Sequence, residues 1–125
     1  MKRNLLFVVI AVVVLLMACA LAGCGGPTEE EAAALEAAQD IVADENPFWS
    51  PGMLETLLEY NGHNSEAVAY AVDNCGVDWN ANATAAGKSI TKMGVVSNRY
   101  DLLSELTELG FTEDQANYAA DQLGY

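Results

Sequence analysis

Ala69-Tyr70-Ala71-Val72-Asp73-Asn74-Cys75-Gly76 is answered 48 residues later by Asn117-Tyr118-Ala119-Ala120-Asp121-Gln122-Leu123-Gly124, and this pairing decides the fold. The same offset pairs Leu54 with Leu102, Leu58 with Leu106, Gly62 with Gly110 and Glu66 with Asp114. Ala34 meets Ala83 only at an offset of 49, so one residue has moved in a linker. Self-similarity at a fixed period of this size marks a tandem array of one supersecondary unit. Each copy is too short to bury most of its surface alone, so the copies are expected to pack on each other or stay marginal.

The helix signals follow the same period. Thr28-Glu29-Glu30-Glu31 fits a capping box with an acidic first turn. Leu35, Ala38 and Ile41 or Val42 then recur at helical spacing until Asp44-Glu45-Asn46-Pro47. Ser50-Pro51 is a cap followed by proline at the first helical position, with Leu54, Leu57 and Leu58 as an apolar stripe that Asn61-Gly62 closes. Phe48 and Trp49, just before it, are expected to wedge into the core. Asn64 or Ser65 caps a third helix that turns Val68, Ala71, Val72 and Cys75 inward and ends at Gly76.

The second copy opens on Asp78-Trp79-Asn80. Trp79, Ala83, Ala86, Ile90 and Met93 form its stripe, and Trp79, Ile90 and Met93 are expected to hold a helix that Gly87 and β-branched residues weaken. Ser97 or Asn98 opens the next helix, with Leu102, Leu103, Leu106 and Leu109 before Gly110; Thr112 and Gln115 box the last, with Phe111 stapled on Ala116. No alternating β-branched segment interrupts the pattern. The reading is all-α: two tandem three-helix repeats, 28–77 and 78–125, with helices of about ten to sixteen residues.

Upstream, Met1-Lys2-Arg3 is basic, Leu5 to Leu21 is almost wholly apolar, and Leu21-Ala22-Gly23-Cys24 has the order of a bacterial lipobox. Residues 1–23 read as a lipoprotein signal peptide, cut before Cys24, whose sulfur receives a diacylglycerol. An uncleaved membrane helix is the other reading, since about 17 to 25 apolar residues can span a bilayer. Either places the remainder on the extracytoplasmic face, with Lys2 and Arg3 inside. Residues 24–27 are the lipidated tether: Gly25, Gly26 and Pro27 reach at most about 10 Å, which keeps the module close to the membrane.

Without residues 1–23, three basic side chains (Lys88, Lys92, Arg99) stand against 18 acidic ones, a formal charge of −15. Such a surface repels nucleic-acid phosphates and anionic lipid heads, which argues against nucleic acid as a partner. A basic protein is its natural complement, although the charge also serves to keep an Ala-rich surface soluble. Cys19 leaves with the leader and Cys24 carries the lipid, so Cys75, which replaces Leu123 of the other copy, reads as a small buried apolar residue.

The inventory for catalysis is sparse. His63 is the sole histidine and takes the place of Phe111, as a turn or packing residue. No His/Cys/carboxylate cluster has metal-ligand spacing, no Gly-rich phosphate loop precedes a helix, and no serine has a histidine base. Glu55/Glu59 and Glu105/Glu108 read as solvated helix faces. Asp73 to Asn80 resembles a calcium loop only until the missing terminal glutamate. A binding protein without cofactor or metal is expected, and not an enzyme. The candidate partner-binding residues are the paired Tyr70/Asp73 and Tyr118/Asp121, three apart and so on one helix face, with the acids Glu105, Glu108, Glu113 and Asp114.

The run from Ser50-Pro51-Gly52-Met53-Leu54 to Tyr60-Asn61-Gly62, then Glu66 and Tyr70-Ala71-Val72-Asp73-Asn74-Cys75-Gly76-Val77-Asp78-Trp79-Asn80, then Asn82-Ala83, resembles the Ltp-type host cell surface-exposed lipoproteins. Gly110-Phe111-Thr112-Glu113 and Tyr118-Ala119-Ala120-Asp121 repeat it. His63 and Ile90 depart from the pattern, standing where aromatics are usual. The resemblance implies repeats of helix-turn-helix units, and superinfection exclusion: a lipoprotein at the host membrane that stops an incoming phage from delivering its DNA by engaging an injected phage protein. Leu109-Gly110-Phe111 with Ala116 and Ala119 also resembles the ubiquitin-associated three-helix fold, which supports a compact protein-binding unit. A constitutive envelope or adhesion component that binds a resident membrane protein is the alternative.

Overall fold

The computed structural model describes residues 26–44 and 46–125. Residues 1–23, expected to be a signal peptide, and Cys24 lie outside the described residues. Those residues form α1 (Glu29–Val42), α2 (Pro51–Tyr60), α3 (Ser65–Asn74), α4 (Trp79–Lys92), α5 (Arg99–Glu108) and α6 (Glu113–Leu123), with no strand among them. The fold is all-α. No helix among the described residues is long and apolar enough to cross a membrane.

Every helix start has a side-chain cap. Thr28 and Glu31 close a reciprocal box at α1, with backbone-to-side-chain distances of 2.9 and 3.1 Å. Thr112 and Gln115 do the same at α6, at 2.9 and 3.2 Å. Ser50, Asn64, Asp78 and Asn98 cap α2 to α5. Each such cap satisfies an amide that the helix itself leaves open.

The helices pack in two groups of three. Around one core α1 lies on α3 and both touch α2; around the other α4 lies on α6 and both touch α5. The first core is Ala34, Ala38, Leu54, Leu58, Ala67, Val68, Ala71 and Val72; the second is Ala83, Ala86, Ile90, Leu102, Leu106, Phe111, Ala116, Ala119 and Ala120. Alanines let α1 approach α3 and α4 approach α6, while two leucines from the middle helix fill each centre. Gly87 belongs to this close approach: a Cβ there would lie 2.9 Å from Leu123 Cδ1.

Several expected core residues sit elsewhere. Met93 is 66% exposed, because the last turn of α4 runs past the second core, so Ala86, Gly87 and Ile90 hold that helix instead. Phe48 is exposed and Trp49 half-buried, and neither joins a core. The connection turns Trp49 outward, where its indole N–H donates to Asp44 Oδ1 at 2.9 Å. Leu57 and Leu109 are exposed as well. Trp79 packs against the first core and donates to Val72 O at 3.4 Å, although it opens α4. Cys75 is half-buried at the rim of the first core, in no disulfide among the described residues, its Sγ 3.5 Å from Val72 O.

A polar seam joins the two groups. The Gly52 amide donates to Gly110 O at 3.0 Å. Ser50 Oγ donates to Leu109 O while accepting from the Met53 amide, and is fully buried. Asn82 Nδ2 donates to Trp49 O at 3.0 Å. The backbones meet so closely that a Cβ on Gly52 would lie 2.9 Å from Gly110 Cα. One on Gly110, whose φ is +99°, would lie 2.7 Å from Ser50 Oγ. Both positions therefore require glycine, the second also for its left-handed backbone.

Candidate functional site

Cys24 and the lipobox residues Leu21, Ala22 and Gly23 are outside the described residues. The structure places the other candidates on three helices: Tyr70 and Asp73 on α3, Glu105 and Glu108 on α5, and Glu113, Asp114, Tyr118 and Asp121 on α6. All are exposed except Tyr70, which is half-buried. Glu113 and Asp114 occupy the first turn of α6, where the helix dipole favours negative charge.

The two Tyr/Asp pairs are not equivalent in their surroundings. Asp121 accepts from Arg99 Nη1 at 2.8 Å, and the same guanidinium reaches Tyr125 O at 2.7 Å and Asn117 Oδ1 at 2.9 Å. Arg99 thereby ties the start of α5 to the end of α6. Asp73 has no such neighbour, because Pro51 stands at the position of Arg99. The Arg99–Asp121 contact is the one ion pair among the described residues. The pairs also lie on helices of different groups, α3 and α6, which do not pack on one another. They form two separate surfaces rather than one site.

Charge is distributed unevenly. Residues 28–77 carry eleven acidic side chains and neither lysine nor arginine; residues 78–125 carry seven acids and all three cations. With one ion pair among the described residues, the described acids are largely unpaired and mostly exposed, and their field falls off over about a Debye length, roughly 8 Å at physiological salt.

A cleft of about 420 Å³ opens where the end of α1 and the Asn46–Trp49 connection meet the turn between α3 and α4. Val42, Trp49, Cys75 and Val77 give it an apolar wall, and Asn46, Asp78 and Asn82 a polar one. Two of its polar groups are engaged within the fold: Asp78 Oδ1 accepts from the Ala81 amide at 3.0 Å, and Asn82 holds Trp49 O and so braces the connection between the two groups. No group of three His, Cys, Asp or Glu side chains among the described residues is placed to hold a metal ion.

One surface was not anticipated. α2 displays Met53, Leu57 and Tyr60, exposed to 42%, 37% and 87%. Leu57 read as core from its neighbours Leu54 and Leu58, and the offset of 48 holds the signal that separates it: the partner of Leu54 is Leu102, but the partner of Leu57 is Glu105. Comparison with known proteins returns no matching family model, no matching curated protein and no matching solved structure.

Proposed function

We propose that this chain is a lipoprotein anchored through Cys24 to the extracytoplasmic face of the bacterial membrane, and that its two tandem three-helix repeats are a protein-binding module for a basic partner. The single observation that carries the reading is the acidic, cation-poor surface: eleven acids without a lysine or arginine over residues 28–77, joined to Cys24 by three residues. An anionic module held near a bilayer attracts a basic segment that arrives there and repels nucleic acid and anionic lipid alike. The resemblance to the Ltp-type lipoproteins gives that partner an origin, an injected phage protein, and gives the outcome, a block of DNA entry.

Phage infection of cells with and without the protein tests this, with adsorption and DNA entry scored separately and Cys24→Ala as the unanchored control. Normal adsorption with entry lost only for the anchored form is the expected result. Unchanged entry across a broad phage panel would sink exclusion and leave a resident envelope partner as the object of the binding surface.

A further inference from the structure

The two halves of the chain provide an internal control on what the fold requires. α2 and α5 are both ten residues long and align residue for residue at the offset of 48. Their core positions match: Leu54 and Leu58 in one, Leu102 and Leu106 in the other, all fully buried. Their outer faces do not match. Met53, Leu57 and Tyr60 stand where α5 has Asp101, Glu105 and Glu108. Spacings of four and three put the three on one stripe of α2. A helix at the corresponding place in the repeat, with leucines at the same two core positions, tolerates an acid at each of the three positions. Packing therefore does not explain the apolar stripe.

We infer that the Met53–Leu57–Tyr60 stripe is a docking surface for an amphipathic basic segment, one that presents an apolar face flanked by lysine or arginine. This deepens the reading of a module for a basic partner and rests on it. The stripe supplies what charge alone lacks, since a polyanionic surface attracts any polycation, whereas an exposed methionine, leucine and tyrosine select one that also has an apolar face. Charge decides among possible occupants. The stripe lies in the half of the chain that has no lysine or arginine. An anionic lipid surface is repelled from it, and a second copy, itself of net charge −15 after residue 23, is opposed by like charge. The seam adds one more apolar residue, because the Gly52–Gly110 contact brings exposed Leu109 to the Met53 end of α2.

The test transfers the residues of α5 into α2. The triple variant Met53→Asp, Leu57→Glu, Tyr60→Glu, in the full chain held in nanodiscs of zwitterionic lipid, is compared with wild type. The probes are an amphipathic 18-residue leucine/lysine peptide and an 18-residue oligolysine, with empty discs subtracted. Wild type is expected to bind the leucine/lysine peptide at least about tenfold more tightly than oligolysine. In the variant that preference disappears, while oligolysine binding holds or rises with the three added charges. The two contributions thus move in opposite directions. Equal or tighter leucine/lysine binding by the variant overturns the proposal, as does a wild type that does not prefer that peptide. Self-association of wild type that the variant loses would assign the stripe to a second copy and overturn it too. Tyr60→Glu alone, at a position 87% exposed, is expected to lose severalfold in the same comparison and guards against misfolding of the triple variant. The infection assay separates the two readings: loss of peptide preference with exclusion intact rejects the stripe, and intact preference without exclusion rejects the phage role.

Discussion

Gly62 and Gly110 are the same residue of the repeated pattern with nearly the same backbone, φ +93° and +99°, yet they do different work. Nothing lies within 4 Å of a Cβ built on Gly62, whereas one on Gly110 meets Ser50 Oγ and the Gly52 backbone. Gly62→Ala should therefore cost only the left-handed backbone, about 1 to 2 kcal/mol. Gly110→Ala should cost at least about 1 kcal/mol more, since it also forces the buried Ser50 hydroxyl off the Leu109 carbonyl. Urea unfolding of the two variants measures the difference, and equal losses would mean that the seam contributes nothing to stability. Both glycines were legible in the sequence as helix terminators. The contact of Gly110 was not, because a close approach between residues 58 apart leaves no local pattern.

α4 shows how far periodicity reaches at the scale of an element. Its stripe of Trp79, Ala83, Ala86, Ile90 and Met93 predicted the helix and its inward alanines correctly, but periodicity says which residues share a face and not where the neighbouring helix ends. Ile90 lies against α5 and α6 in the second core, while Met93 is already the C-cap and faces water. Ile90→Ala should accordingly destabilise by about 2 to 5 kcal/mol, and Met93→Ala should stay within about 0.5 kcal/mol. Thermal unfolding of the pair checks this; comparable losses would put Met93 back in the core. The same limit explains the candidate site. Exposed acids were legible because charge implies solvent, whereas the stripe on α2 has the apolar character of a core and is set apart in the sequence only by its acidic counterparts on α5.

For the whole molecule the question is whether the two cores act as one. Trp79 lies in the second helix group by sequence and against the first core by packing, so its removal tests the coupling directly. Trp79→Ala should lower amide protection in α1 and α3, and lower it less in α6, by native-state hydrogen exchange. Protection lost uniformly along the chain would indicate a single cooperative unit, and loss confined to α4 would show that the indole is not part of the first core. The overall class and the six helix starts could be read from caps, glycines and the repeat, because those are local. The seam depends on a handful of residues around Ser50, Gly52 and Gly110, which only the assembled chain brings together.

That seam also has a direction. The patch at Ser50 and Gly52 in the first half meets a different patch, at Gly110, in the second, so the joint is head-to-tail, and a head-to-tail joint repeated without closure builds a filament. The free ends of this pair are the counterparts of the joined surfaces: Gly62 at one end, and Asn98 with Tyr100 at the other. Where the joint needs a residue with no side chain, Tyr100 projects 79% exposed into solvent. At that end the close backbone approach of the joint would meet a side chain, so a tyrosine in the place of a glycine works against a further unit adding by the same contact.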